Sequence, residues 1–130
     1  LGLFQVMPET GKMLGFKHLT HPESGIHAGI KYVKKLFKYF EEELPFRQKM
    51  RFVLASYNVG PGHVMDAREL ARRLGFDKNR WFGNVEKAML MLQEPKWYKR
   101  AKFGYCRGRE PVKYVSEIQL RYDNYVKIID

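Results

Sequence analysis

The side chains best suited to chemistry in this chain are amides and phenols. Gln5 lies in Gly2-Leu3-Phe4-Gln5-Val6-Met7-Pro8, and its carboxamide both donates and accepts hydrogen bonds, which suits a ligand group that does both. Tyr57 and Asn58 stand together in Ala55-Ser56-Tyr57-Asn58-Val59-Gly60-Pro61-Gly62, where an apolar helical pattern meets a glycine turn. A phenol and an amide at a helix end are held rigidly and can still face a cleft. Without a ligand, Tyr57 reads as core and Asn58 as a C-cap, because Asn tolerates the left-handed conformation; both roles are compatible with a cleft. Tyr114 falls on the first turns of a final helix, in Gly104-Tyr105-Cys106-Arg107-Gly108-Arg109-Glu110-Pro111-Val112-Lys113-Tyr114-Val115. Glu110, four residues earlier, stands where a carboxylate favours the helix dipole, so it reads as structural support for the site.

Other titratable groups offer less. Glu9 falls in a first helical turn, and Glu41-Glu42-Glu43 is a charge run before Pro45 that reads as a solvated helix end. Neither these nor Glu23 sits in a context that marks a general acid. His18 and His21 form an H-x-x-H pair, with His27 and His63 elsewhere, but no HExxH or cysteine pair completes a zinc site. No metal and no cofactor is expected. Cys106 is the only cysteine, so no disulfide can form within the chain. It has a neighbouring Arg107 but no His near it in sequence, and it reads as a packing residue.

The elements that hold these groups are helical. A chain of 130 residues has the size of one domain, and 45% hydrophobic content with 15% aromatic content supports a packed core. No apolar run approaches the ~20 residues of a membrane-spanning helix. Ile26, Ile30, Val33, Phe37 and Phe40 fall on one face of a first amphipathic helix whose lysines lie off it. Phe46, Met50, Val53, Leu54 and Tyr57 form the buried stripe of the next, which Gly60-Pro61-Gly62 stops. A helix from His63 to Leu74 follows, with Gly75 as its C′ residue. Asn84 is expected to cap a short helix through Leu92, and Pro111 to open a last helix with Val115, Ile118, Tyr122 and Ile129 inward. No two-residue alternation, linker or internal repeat appears, so an all-α single domain of about six helices is expected. The net charge of +10 favours an anionic partner. Nucleic-acid motifs are absent, so nucleic acid is not expected as that partner.

The first two stretches resemble the GLMQ-x-MP and A-x-YN-x-G signatures of the lysozyme-like transglycosylase (SLT) domain. The third resembles the C-terminal signature of the F branch of the membrane-bound lytic murein transglycosylases. Phe4 stands for the commoner Met and Ser56 for the usual Ala. The resemblance runs from Gly2 to about Tyr122 and implies an all-α, lysozyme-like fold acting on peptidoglycan glycan strands. It implies Gln5, Tyr57, Asn58 and Tyr114 as substrate-binding residues. The general acid it implies is a Glu, usually followed by Ser, upstream of Leu1, so the stretch read here is expected to hold most of a site without its acid and to be inactive by itself. In such enzymes one Glu serves as acid and then base, the substrate's N-acetyl group assists, and the C6 hydroxyl attacks to leave a 1,6-anhydromuramic product. A cell-envelope location, outer-membrane association and an upstream solute-binding-like domain are also implied. The alternatives are a non-catalytic glycan-binding module with the same cleft, and a basic nucleic-acid or membrane-surface protein.

Overall fold

The computed structural model describes residues 22–40 and 43–129 of the chain, and for residues 22–26 only the backbone. Gln5, Phe4, Glu9, His18, His21, Glu41 and Glu42 lie outside the described residues, as does the side chain of Glu23. The described residues form helices α1 (Pro22–Tyr39), α2 (Phe46–Val59), α3 (Pro61–Arg73), α4 (Glu86–Met91), α5 (Pro95–Tyr98) and α6 (Arg109–Ile129), with no strand among them. The all-α expectation holds.

Helix α2 is the axle. It packs most extensively on α6, then on α3 and α1. Six consecutive residues, Phe52 to Tyr57, are buried. A helix covered on all sides needs no polar face, and the single stripe read from sequence is only part of what it buries. Phe46, read as the start of that stripe, is exposed and stacks instead on Phe37 of α1 at 6.0 Å between ring centroids. The aromatic core continues from Phe40 to Phe52 (5.9 Å) and on to Trp81 (6.2 Å, edge-on). Arg68 is buried among them, its guanidinium 4.9 Å from the Phe52 ring centre. It donates to the Lys78 carbonyl oxygen (2.9 Å) and Asn79 Oδ1 (2.8 Å). This planar fork fixes the loop after α3 while its face rests on the aromatic core.

Two helix faces and one cap differ from expectation. Along α1 and the residue that follows it, Ala28, Gly29, Tyr32, Leu36 and Phe40 are buried, while Ile30 is exposed. Spacing by four puts Tyr32 and Leu36 directly below Phe40, so the buried face is rotated away from the Ile30 line. On α6, Pro111, Tyr114 and Val115 are buried, but Tyr122 and Ile129 are exposed, because the helix outruns the core after its first three turns. Asn84 does not cap α4. Its Oδ1 accepts from the Asp77 N–H (2.9 Å) and its Nδ2 donates to the Phe82 carbonyl (3.1 Å), clipping the loop around a wide helical turn at Trp81–Val85.

Two terminations match their residue types. Gly75 and Phe76 close α3 by N–H bonds to the Arg72 and Ala71 carbonyls (3.2 and 2.8 Å), the paired C-terminal bonds of a Schellman motif. Gly60 ends α2 with φ of 96°, a conformation only glycine adopts without strain. Pro61 at once opens α3, so the turn read as a stop is also a start.

Candidate active site

Three tyrosines meet from three helices. Tyr32 comes from the middle of α1, Tyr57 from the last turn and a half of α2, and Tyr114 from the second turn of α6. They are 7%, 6% and 9% exposed. The Tyr32 and Tyr57 ring centroids are 5.6 Å apart, inclined at 55°. Burial raises the Tyr32 pKa, and nearby Tyr57 raises it further. Burial raises that of Tyr114 more strongly, again with Tyr57 as the second cause. Tyr57 is therefore the shared neighbour, and the other two phenols stay protonated as hydrogen-bond donors. The Tyr114 hydroxyl oxygen is buried without a hydrogen-bond partner among the described residues. A buried hydroxyl in that condition destabilises the fold unless a ligand or another group takes the bond.

Asn58 follows Tyr57 and is half-buried inside α2; Gly60, not Asn58, is the helix cap. Its amide is consequently not consumed by capping. Glu110 lies on the exposed first turn of α6, its carboxylate 3.9 Å from Arg109 Nε. Neither Glu110 nor any other carboxylate contributes to the shifts of Tyr32 and Tyr114. Among the described residues the cluster thus has donors and aromatic walls but no acid of its own.

The Tyr114 side is anchored by close packing. Gly108 lies so near the Met89 carbonyl that a Cβ there would sit 1.8 Å from its oxygen. The Cys106 N–H bonds the Leu92 carbonyl (3.3 Å) and the Arg109 N–H bonds Gln93 Oε1 (3.2 Å). These contacts seat the start of α6 on the end of α4 and fix where Tyr114 enters. Cys106 is buried, and burial with nearby Asp66 pushes its thiol up to about 11, which keeps it a neutral packing group. No three His, Cys, Asp or Glu side chains among the described residues gather as metal ligands.

The cluster brings together Tyr57 and Tyr114, which are far apart in sequence, and adds Tyr32, which sequence reading did not single out. The sequence signal for Tyr32 is the four-residue spacing Ala28, Tyr32, Leu36, Phe40, which runs beside the Ile30–Val33 line.

Residues 1–80, more than half the chain, match the family described as the transglycosylase SLT domain. The chain belongs to this family. It is 39% identical over 127 residues to the membrane-bound lytic murein transglycosylase F of Shewanella loihica, and 40% identical over 127 residues to that of Shewanella halifaxensis. Each comparison covers 98% of the chain and 26% of the relative. The protein of the same name in Vibrio vulnificus is 35% identical over 125 residues, covering 96% of the chain and 23% of the relative. The chain therefore spans about a quarter of the length of these curated relatives. Of the SLT domain's expected substrate-binding residues, Tyr57, Asn58 and Tyr114 are placed by the structure, and Gln5 lies outside the described residues.

Proposed function

We propose that the protein carrying this SLT domain is a lytic transglycosylase that cleaves the MurNAc–GlcNAc β-1,4 bond of peptidoglycan. The observation that carries the reading is the meeting of Tyr57 and Tyr114, drawn from two separate signatures, in one buried cluster whose Tyr114 hydroxyl has no partner among the described residues. Residues 1–130 form the transglycosylase domain, and the general acid is a Glu upstream of Leu1. That Glu protonates the glycosidic oxygen as the C1–O bond breaks. The substrate's own acetamido group supports the cationic C1, and the C6 hydroxyl then closes on C1 while the carboxylate takes its proton. No water is consumed and the proton returns to the acid.

The chain's own residues bind and orient. Gln5 and Asn58 each offer an amide that can answer an N-acetyl group in both directions. Tyr114 and Tyr57 supply phenol hydroxyls beside the acid, where a hydrogen bond to its charged form tunes the proton transfer. The site of action is the bacterial cell envelope, with any attachment to the outer membrane, and a solute-binding-like domain, in parts of the protein outside this chain. No helix among the described residues is long and apolar enough to cross a membrane.

The test is chromatography of murein sacculi digested with the full-length protein. Products ending in 1,6-anhydromuramic acid are expected. Reducing muramic ends would mean hydrolysis, and no release combined with retained glycan binding would make the protein a non-catalytic module.

A further inference from the structure

Arg47 and Arg51 stand one turn apart on α2, at the spacing that makes side chains neighbours on a helix surface. Arg80 reaches them from the loop that precedes the wide turn at Trp81–Val85. Two contacts fix that approach. The Trp81 N–H donates to Gln48 Oε1 of α2 at 3.0 Å, and the Arg51 guanidinium lies over the Phe82 ring, 4.6 Å from its centre. A third contact comes from α6, where Gln119 Oε1 accepts from Arg51 Nη2 at 3.1 Å. Three elements therefore hold the half-buried Arg51 in place, with two exposed arginines beside it.

Like charges kept this close cost stability unless something answers them. Burial and then Arg47 push the Arg51 pKa down; Asp123 pulls it back, and Arg80 adds to the fall. Asp123 is the one carboxylate that bears on Arg51, and its Oδ1 accepts from Gln119 Nε2 (3.0 Å). The acids nearest in sequence are turned elsewhere: Asp77 Oδ1 accepts from the Asn79 N–H (2.9 Å) and Glu86 Oε1 from the Gly83 N–H (3.1 Å). Among the described residues neither Glu43 nor any of the three arginines forms an ion pair. Arg51 donates to Gln119 alone among them, and its Nε is buried with no partner.

The geometry points to Arg47, Arg51 and Arg80 as a binding site for a phosphate group. Three guanidiniums against the single carboxylate of Asp123 leave a surplus of two positive charges, which a phosphate dianion answers and one carboxylate does not. The fork of Arg51, braced by Phe82 and Gln119, presents its remaining N–H groups in a plane that matches a pair of phosphate oxygens. Arg47 and Arg80 are free to close on the other oxygens. None of the three belongs to the tyrosine cluster, so the site does not depend on the peptidoglycan reading. Free phosphate and the phosphodiester of a lipid headgroup share this chemistry.

Two measurements on the full-length protein test the site and separate its sources: isothermal titration with inorganic phosphate at constant ionic strength, and co-sedimentation with phosphatidylglycerol vesicles against phosphatidylcholine vesicles. Arg47→Gln with Arg80→Gln, both at exposed positions, is set against Lys34→Gln with Lys38→Gln on the exposed face of α1, which changes net charge equally. The arginine pair is expected to weaken binding about tenfold or more, and the lysine pair to leave it unchanged. Arg51→Lys keeps the charge but removes the fork, and it too is expected to weaken binding. Without phosphate the arginine pair should melt at the same temperature as the unaltered protein or higher, because repulsion is relieved. Binding of phosphate assigns a free phosphate group and binding of phosphatidylglycerol vesicles alone a lipid headgroup; either supports the site. Binding of neither probe would overturn it. Equal losses in the arginine and lysine pairs would show a diffuse field and overturn it as well, as would full binding by Arg51→Lys. A melting temperature lowered by the arginine pair would show that Arg47 and Arg80 serve the fold, which also contradicts the site.

Discussion

At the scale of single residues, burial and hydrogen bonding point in different directions for side chains that look alike in sequence. Ser56 Oγ is buried with no partner among the described residues, inside the run of six buried residues of α2. Ser56→Ala removes an unsatisfied hydroxyl without opening a cavity, and chemical denaturation should show a gain of about 1 kcal/mol rather than a loss. Cys106 is 2% exposed with its thiol raised to about 11. It should resist alkylation at pH 8 in the native protein and react promptly in denaturant, read by mass spectrometry. Cys106, Tyr32 and Tyr114 all have pKa values raised above their ordinary 9.0 and 10.0. The fold favours the protonated form of each. Their contribution is complete below those ordinary values and is lost as pH climbs through the raised ones. Stability should therefore fall above pH about 9–10, and Tyr114→Phe should shallow that fall in denaturation midpoints measured along a pH series.

At the scale of elements, what could be read in advance was set by how directly local chemistry dictates geometry. Gly75 and Gly60 end helices where their residue type demands it, and Pro61 opens α3. Which face a helix buries was less legible, because that depends on partners. Ile30 and Tyr122 are apolar or aromatic and periodic, yet the core does not reach them. Asn84 has the chemistry of a cap, but a loop seven residues upstream competes for its side chain and wins. Gly108 belongs to the same lesson. Its lack of a side chain has no sequence-local reason, and only the approach of the Met89 carbonyl explains it. Gly108→Ala should lower stability by about 1–3 kcal/mol, measured by denaturant unfolding, because backbone must shift to admit the methyl group. It should also displace the start of α6, so turnover by the full-length protein is expected to fall along with stability.

At the scale of the whole molecule, the candidate site is legible in the sequence only as pieces. Tyr57 with Asn58, and Tyr114, lie more than fifty residues apart. Their convergence depends on α2 serving as the packing centre for α1, α3 and α6 at once. Tyr32 joins them because α1 crosses that centre with its Ala28–Phe40 line inward, which no local pattern states. The net charge of +10 was legible as a preference for an anion but not as a place. The most direct test of the tyrosine cluster as catalytic apparatus is the rate of 1,6-anhydromuropeptide release by the full-length protein carrying Tyr114→Phe, alongside its melting temperature at neutral pH. A hydroxyl with no partner among the described residues gives the fold nothing to lose, while its bond to the acid or the sugar is worth roughly tenfold or more in rate. A rate lowered by at least that much with an unchanged or raised melting temperature is predicted. An unchanged rate, or a rate that falls only in step with lost stability, would contradict the assignment of this cluster to catalysis.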